Sequence, residues 1–171
     1  MKVEITSTQA GSISFVQPGT FVTWDAVAHF MFAGKAVFTL NNTNTGNRYT
    51  YKVKRLKYKD PRVQAAAPYF VYYLTGPDEY KYMATIFDSN RYKLTATNKS
   101  RLKPDSLPWA ALQWVLDSIK KNHDTGRSKW PTEFQFWHEG QCARCGRALT
   151  DPESISRGYG PYCSTVDHVG A

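Results

Sequence analysis

Apolar residues between Trp24 and Ala33 recur at spacings of three and four. Trp24, Val27, Ala28, Phe30 and Met31 therefore predict a short amphipathic helix, with Thr23 or Thr20 to cap it and Gly34 placed to end it. Beyond Gly34 the period changes. Ala36–Leu40 and Arg48–Leu56 are β-rich runs around the Asn- and Gly-containing loop 41–47, the pattern of a hairpin. In the second run Tyr49, Tyr51 and Val53 alternate with Thr50, Lys52 and Lys54, the period of a half-buried strand. Further strands are predicted at Tyr69–Leu74, Lys81–Phe87 and Tyr92–Ala96, separated by the turn sequences Gly76-Pro77-Asp78 and Asp88-Ser89-Asn90.

The strongest helical pattern opens at Ser106-Leu107-Pro108. Trp109, Leu112, Val115, Leu116 and Ile119 form one apolar stripe, and Lys120-Lys121 complement the negative end of the helix dipole. Such a stripe needs a sheet to cover. Residues 98–103 read as a loop, 122–130 as a polar linker, and Glu133–His138 as a last strand. The first twenty residues, ending at Pro18-Gly19, read as either a mobile lead-in or an edge strand. The expected fold class is α+β: an antiparallel sheet of about five strands with packed helices, plus a small C-terminal zinc ribbon implied by the clustered Cys142, Cys145 and Cys163. Residues 1–130 are expected to form the α+β domain and 131–171 the ribbon.

Composition narrows the function classes. The chain has 171 residues, 42% hydrophobic and 21% charged, a globular balance rather than a disordered or fibrous one. Its longest apolar run, Ala65–Leu74, is interrupted by Pro68 and too short to span a bilayer, so no membrane partner is expected. Met1-Lys2-Val3-Glu4 leads into no apolar secretory core, which points to the cytoplasm. No phosphate-cradling glycine loop, dinucleotide fingerprint or nucleophile elbow occurs, and a non-enzymatic protein is expected.

The three cysteines all lie in the last thirty residues. Cys142 and Cys145 have C-x-x-C spacing, which lets one tight turn offer two thiolates to one ion, and Gly146 permits the positive φ such a knuckle uses. Cys163 returns after a 17-residue spacer. Within that spacer Thr150 and Glu153 make a capping-box pattern, with Thr150 as N-cap of a short helix over Asp151–Arg157 stopped by Gly158. Four-coordinate Zn2+ needs one more ligand. His138, at the end of the last predicted strand, is the first choice, and His168, five residues after Cys163, the second. The ion is expected to be structural, because so short a tail cannot bury a core of its own. Neither the H-E-x-x-H helix nor the deaminase pattern is present.

The stretch Trp137-His138-Glu139-Gly140, followed by C-x-x-C-G-R-x-L-T-x-P-E-S-I and G-x-G-P-x-C, resembles a small zinc-ribbon family of uncharacterised function found in phage-encoded and bacterial proteins. In its phage members an α+β region resembling residues 24–120 precedes the tail, including the T-G-x-R-Y-T-Y segment at Thr45–Tyr51. The resemblance implies zinc held by Cys142, Cys145, Cys163 and His138. It implies no activity.

Charge suggests the partner. Formal net charge is +8, and the sequence pI is near 9.4. Arg48, Lys52, Lys54, Arg55, Lys57, Lys59 and Arg62 crowd into fifteen residues holding one acid, Asp60, with Tyr49, Tyr51 and Tyr58 interleaved. Cations beside aromatic rings suit nucleic acid, charge tracking phosphates and rings stacking on bases. Arg48, Tyr51, Lys52, Lys54, Arg55, Lys57 and Lys59 are thus expected to contact DNA or RNA, joined by Arg144 and Arg147 on the ribbon. The alternative is a protein-binding inhibitor of a host or defence factor, in which the same surface docks on an acidic protein patch.

Overall fold

The computed structural model describes residues 4–7, 13–16 and 19–165. Strands β1 (Glu4–Ser7) and β2 (Ile13–Val16) pair antiparallel as a separate two-stranded sheet. The main sheet has six antiparallel strands: β3 (Thr20–Phe21), β4 (Lys35–Asn42), β5 (Arg48–Arg55), β6 (Tyr69–Gly76), β7 (Glu79–Ile86) and β8 (Phe134–His138). Their spatial order is β3-β8-β4-β5-β6-β7, so the meander predicted from pattern holds from β4 to β7. The late strand β8 enters between β3 and β4, pairing Leu40 with Phe136 and Phe38 with His138.

Helix α1 (Trp24–Met31) is capped by Thr23, whose side chain accepts from the Ala26 N–H at 3.2 Å. Helix α2 (Pro61–Ala66) was not foreseen; Asp60 caps it by accepting from the Arg62 N–H, with Pro61 as its first residue. Helix α3 (Leu107–Thr125) carries the expected stripe, with Trp109, Leu112, Val115, Leu116 and Ile119 all buried. It runs on into the predicted linker as far as Thr125, and Gly126, with a left-handed φ of 68°, ends it. Helix α4 (Pro152–Arg157) is capped by Asp151, not Thr150.

The predicted strand at Tyr92–Ala96 is reduced to a single bridge, Thr95 to Thr85. An α3 side chain takes two of its other backbone groups: Gln113 accepts from the Leu94 N–H at 2.9 Å and donates to the Tyr92 carbonyl at 2.8 Å.

Alternation assigns the two faces of the sheet. Phe38, Tyr51, Val53, Tyr69, Val71 and Phe136 point inward to Phe30 of α1 and to the α3 stripe. Phe38 stacks on Phe136 at 4.8 Å, and the Tyr51 hydroxyl donates to the Pro108 carbonyl at the start of α3. Burying six such side chains contributes on the order of 10 kcal/mol before entropy is charged against it. Among the described residues, both long helices lie on this inner side.

Candidate metal centre and sheet surface

After β8 the chain turns at Gly140 and forms a small loop. The Cys142 N–H donates to the Arg147 carbonyl, the Gly146 N–H to the Cys142 carbonyl, and the Leu149 N–H to the Gly140 carbonyl. Gly146 has φ +80°, as the knuckle requires. The loop is tied to the body by the Lys35 N–H, which donates to the Ala143 carbonyl at 2.7 Å. Helix α4 then reverses the chain at Gly158, and Cys163 comes back to the pair. The three sulfurs lie within 4.8 Å of one another, with Cys142 and Cys163 buried and Cys145 partly so.

Burial pushes the Cys142 thiol up, but hydrogen bonds from the backbones of Cys145, Gly160 and Arg144 and from the Cys145 thiol bring it down to about 7. A thiolate is therefore accessible near neutrality. Burial, together with the two neighbouring sulfurs, pushes Cys163 up to about 12. Three sulfurs so close repel one another as anions, and a bound cation relieves that. A tetrahedral ion with sulfur at about 2.3 Å needs sulfurs about 3.8 Å apart, so the donor set fits a thiophilic metal.

His138 does not join this cluster. Alternation along β8 turns it inward, where its ring stacks on Phe30 at 5.8 Å. Nδ1 accepts from the Gly140 N–H at 2.9 Å and Nε2 faces the Ile155 carbonyl of α4. Both nitrogens are thus engaged with backbone, and Gly19 closes the pocket: a Cβ there would stand 2.9 Å from Nε2. Burial lowers the His138 pKa, which keeps the imidazole neutral. His138, expected as the fourth ligand, is thus placed with its ring nitrogens on backbone groups rather than among the three sulfurs. His168 lies outside the described residues.

The basic cluster divides. Tyr51 is fully buried and Arg55 is 5% exposed. Arg55 donates to the Ala67 and Ala65 carbonyls, lies 3.6 Å from Asp88, and packs over the Tyr69 ring. Neither is a surface residue, contrary to expectation, because both share the inward parity of Val53. Lys57 and Lys59 sit on the exposed segment before α2, and Arg147 is exposed on the knuckle with Arg144 half-buried beside it.

Arg48, Lys52 and Lys54 have the opposite parity and stand on the outer face of the sheet. The strand register builds a grid around them. Lys35 pairs with Lys54 and Lys54 with Phe70. Val37 pairs with Lys52, Lys52 with Tyr72 and Tyr72 with Tyr82. Trp137 and Thr50 both pair with Thr39, and Leu74 pairs with Tyr80. Four cations thus line β4 and β5, with half-buried rings on β6 and β7 to one side and Trp137 on the other. Lys52 Nζ lies 4.2 Å from the centre of the Tyr80 ring and the Arg48 guanidinium 5.3 Å from that of Trp137. Glu139 is an acid of this patch, accepting from the Thr39 hydroxyl and the Trp137 indole N–H, and Asp78 lies close enough to act on the Tyr80 hydroxyl. Phe70, Tyr72, Tyr80, Tyr82 and Trp137 were missed as surface residues; their period-two spacing was visible, but not which side it faced.

On the inner side, a cavity of about 450 Å³ opens between the β4–β5 loop and the start of α3, lined by Tyr49, Leu107, Ala111, Trp114 and Phe134. Its charged lining residue is Glu133, which does not suit a polyanion. No helix among the described residues is long and apolar enough to cross a membrane.

Residues 135–166, about a fifth of the chain, match DUF6011, a family of unknown function. The matched segment begins in β8 and holds all three clustered cysteines. No curated protein and no solved structure matches the chain.

Proposed function

We propose that this is a phage-type, zinc-stabilised protein that binds nucleic acid without catalysis. The observation that supports it best is the outer face of the sheet, where Lys35, Arg48, Lys52 and Lys54 stand on two adjacent strands, with Glu139 and Asp78 as the acids near its rings among the described residues. A net charge of +8 adds long-range attraction for polyanions. Zinc is held by Cys142, Cys145 and Cys163, soft donors that favour it over harder ions. With the His138 nitrogens engaged elsewhere, His168 is the fourth ligand in this reading. The ion's contribution is to hold the knuckle, α4 and the segment 159–163 that follows it together.

The test is fluorescence anisotropy of nuclease-treated, zinc-loaded protein with mixed DNA and RNA pools across a salt series. Binding whose log K falls by about 3 per log unit of salt matches four phosphate contacts. Absence of binding even at low salt overturns the reading and turns attention to a protein partner on the same face.

A further inference from the structure

We infer that the outer face of the sheet is a stacking platform for a single strand of DNA or RNA, its backbone running along β5 and its bases laid on the flanking rings. This rests on the nucleic-acid reading above and specifies its substrate.

The rings that sequence placed among the lysines, Tyr49 and Tyr51, share the core parity of β5. Others replace them. Tyr72 and Tyr82 are register partners, their rings 6.1 Å apart and steeply inclined at 75°. The Tyr82 hydroxyl is bonded to Thr85 and Thr97, which holds that ring in place. Across the cations, the Trp137 indole is held by its N–H donating to Glu139 at 3.2 Å. Fixed, half-exposed rings lose little freedom when a base stacks on them.

The cations complete the argument. From Arg48 to Lys54 the row covers about 20 Å of strand, long enough for several phosphates. Arg48 rests over Trp137 and Lys52 over Tyr80, covering ring faces by weak cation–π attraction. A nucleotide offers each cation a phosphate and each freed ring a base, so both partners of the pair exchange for a better one. A duplex supplies the phosphates but keeps its bases stacked on each other. It can therefore use the cations and not the rings. The face is also built from several adjacent strands of a sheet rather than from a projecting helix or ribbon of the kind that enters a major groove.

The experiment compares labelled single strands of about 12 nucleotides, oligo(dT) and oligo(U), with a duplex of the same length, in zinc-loaded protein. Single strands are expected to bind at least tenfold more tightly than duplex. The two single strands separate DNA from RNA as the source. Tyr72→Ala and Trp137→Ala are each expected to weaken single-strand binding by about 5- to 100-fold with an unchanged salt slope. Lys52→Gln should instead reduce that slope by about 1. Trp137→Phe, which keeps a ring, should recover most of the affinity, and circular dichroism checks that each variant folds. Equal or tighter duplex binding, or ring variants that bind like the parent, overturns the stacking platform and leaves nucleic-acid binding standing. Failure of every probe at low salt overturns both.

Discussion

Gly158 lies so close to Phe30 that a Cβ on the glycine would stand 2.8 Å from the phenyl ring, with Phe21 at 3.1 Å. Its φ of +81° is also one that side chains resist. The turn that returns Cys163 to the knuckle is therefore built against α1. Gly158→Ala is expected to cost about 2–4 kcal/mol through strain and overpacking together. Thermal melts should show this as a fall of about 5–15 °C.

Metal stoichiometry separates the candidate ligands. Cys142→Ser and Cys163→Ser should each abolish tight zinc binding, measured by elemental analysis after gel filtration. His138→Gln should retain one ion per chain, because the imidazole faces Ile155 and Gly140 rather than sulfur. Loss of zinc in the His138 variant would return the ring to the coordination sphere.

The same imidazole sets a pH dependence. Burial lowers its pKa in the folded chain, whereas the unfolded chain titrates near 6.5. Below that value unfolding takes up a proton that folding refuses, so stability falls as pH drops from about 6.5 toward the depressed folded value. The slope approaches 1.4 kcal/mol per pH unit at most. Denaturant midpoints from pH 7.5 to 5 should follow this trend in the parent and flatten in His138→Gln. Zinc content measured at each step separates imidazole protonation from release of the metal by its thiolates.

Arg55 tests the division of the basic cluster. Its guanidinium serves the Ala65 and Ala67 carbonyls and Asp88 beneath the surface. Arg55→Met should destabilise by about 2–4 kcal/mol, by leaving those groups short of partners. It should leave the nucleic-acid affinity of the folded protein within twofold, whereas Lys54→Met, one residue earlier on the other face, should lower affinity with little change in melting.

Local pattern carried much of the architecture. The α1 and α3 stripes, the β4–β5 hairpin and the C-x-x-C knuckle rest on neighbours within a few residues, and each is where its spacing says. What pattern lacks is register across the sheet. His138 reads as a strand-end residue, and only its pairing with Phe38 tells which side of the sheet its ring takes. Tyr51 and Lys52 read as one mixed surface until the helices choose a side. Tyr92–Ala96 has strand composition, yet Gln113 of α3 holds its backbone, a contact 21 residues away that no local window contains.

The position of β8 fixes an order of events. A strand made of residues 134–138 lies between β3 and β4, elements that leave the ribosome about a hundred residues earlier. At 5–20 residues per second the β4 edge waits on the order of ten seconds with its Phe134 and Phe136 neighbours not yet synthesised. During that interval it is an unpaired hydrophobic edge, open to chaperones and to other nascent chains. A premature stop before Phe134 would strand it there, so nonsense fragments of this protein are expected to aggregate rather than fold to a smaller version of it.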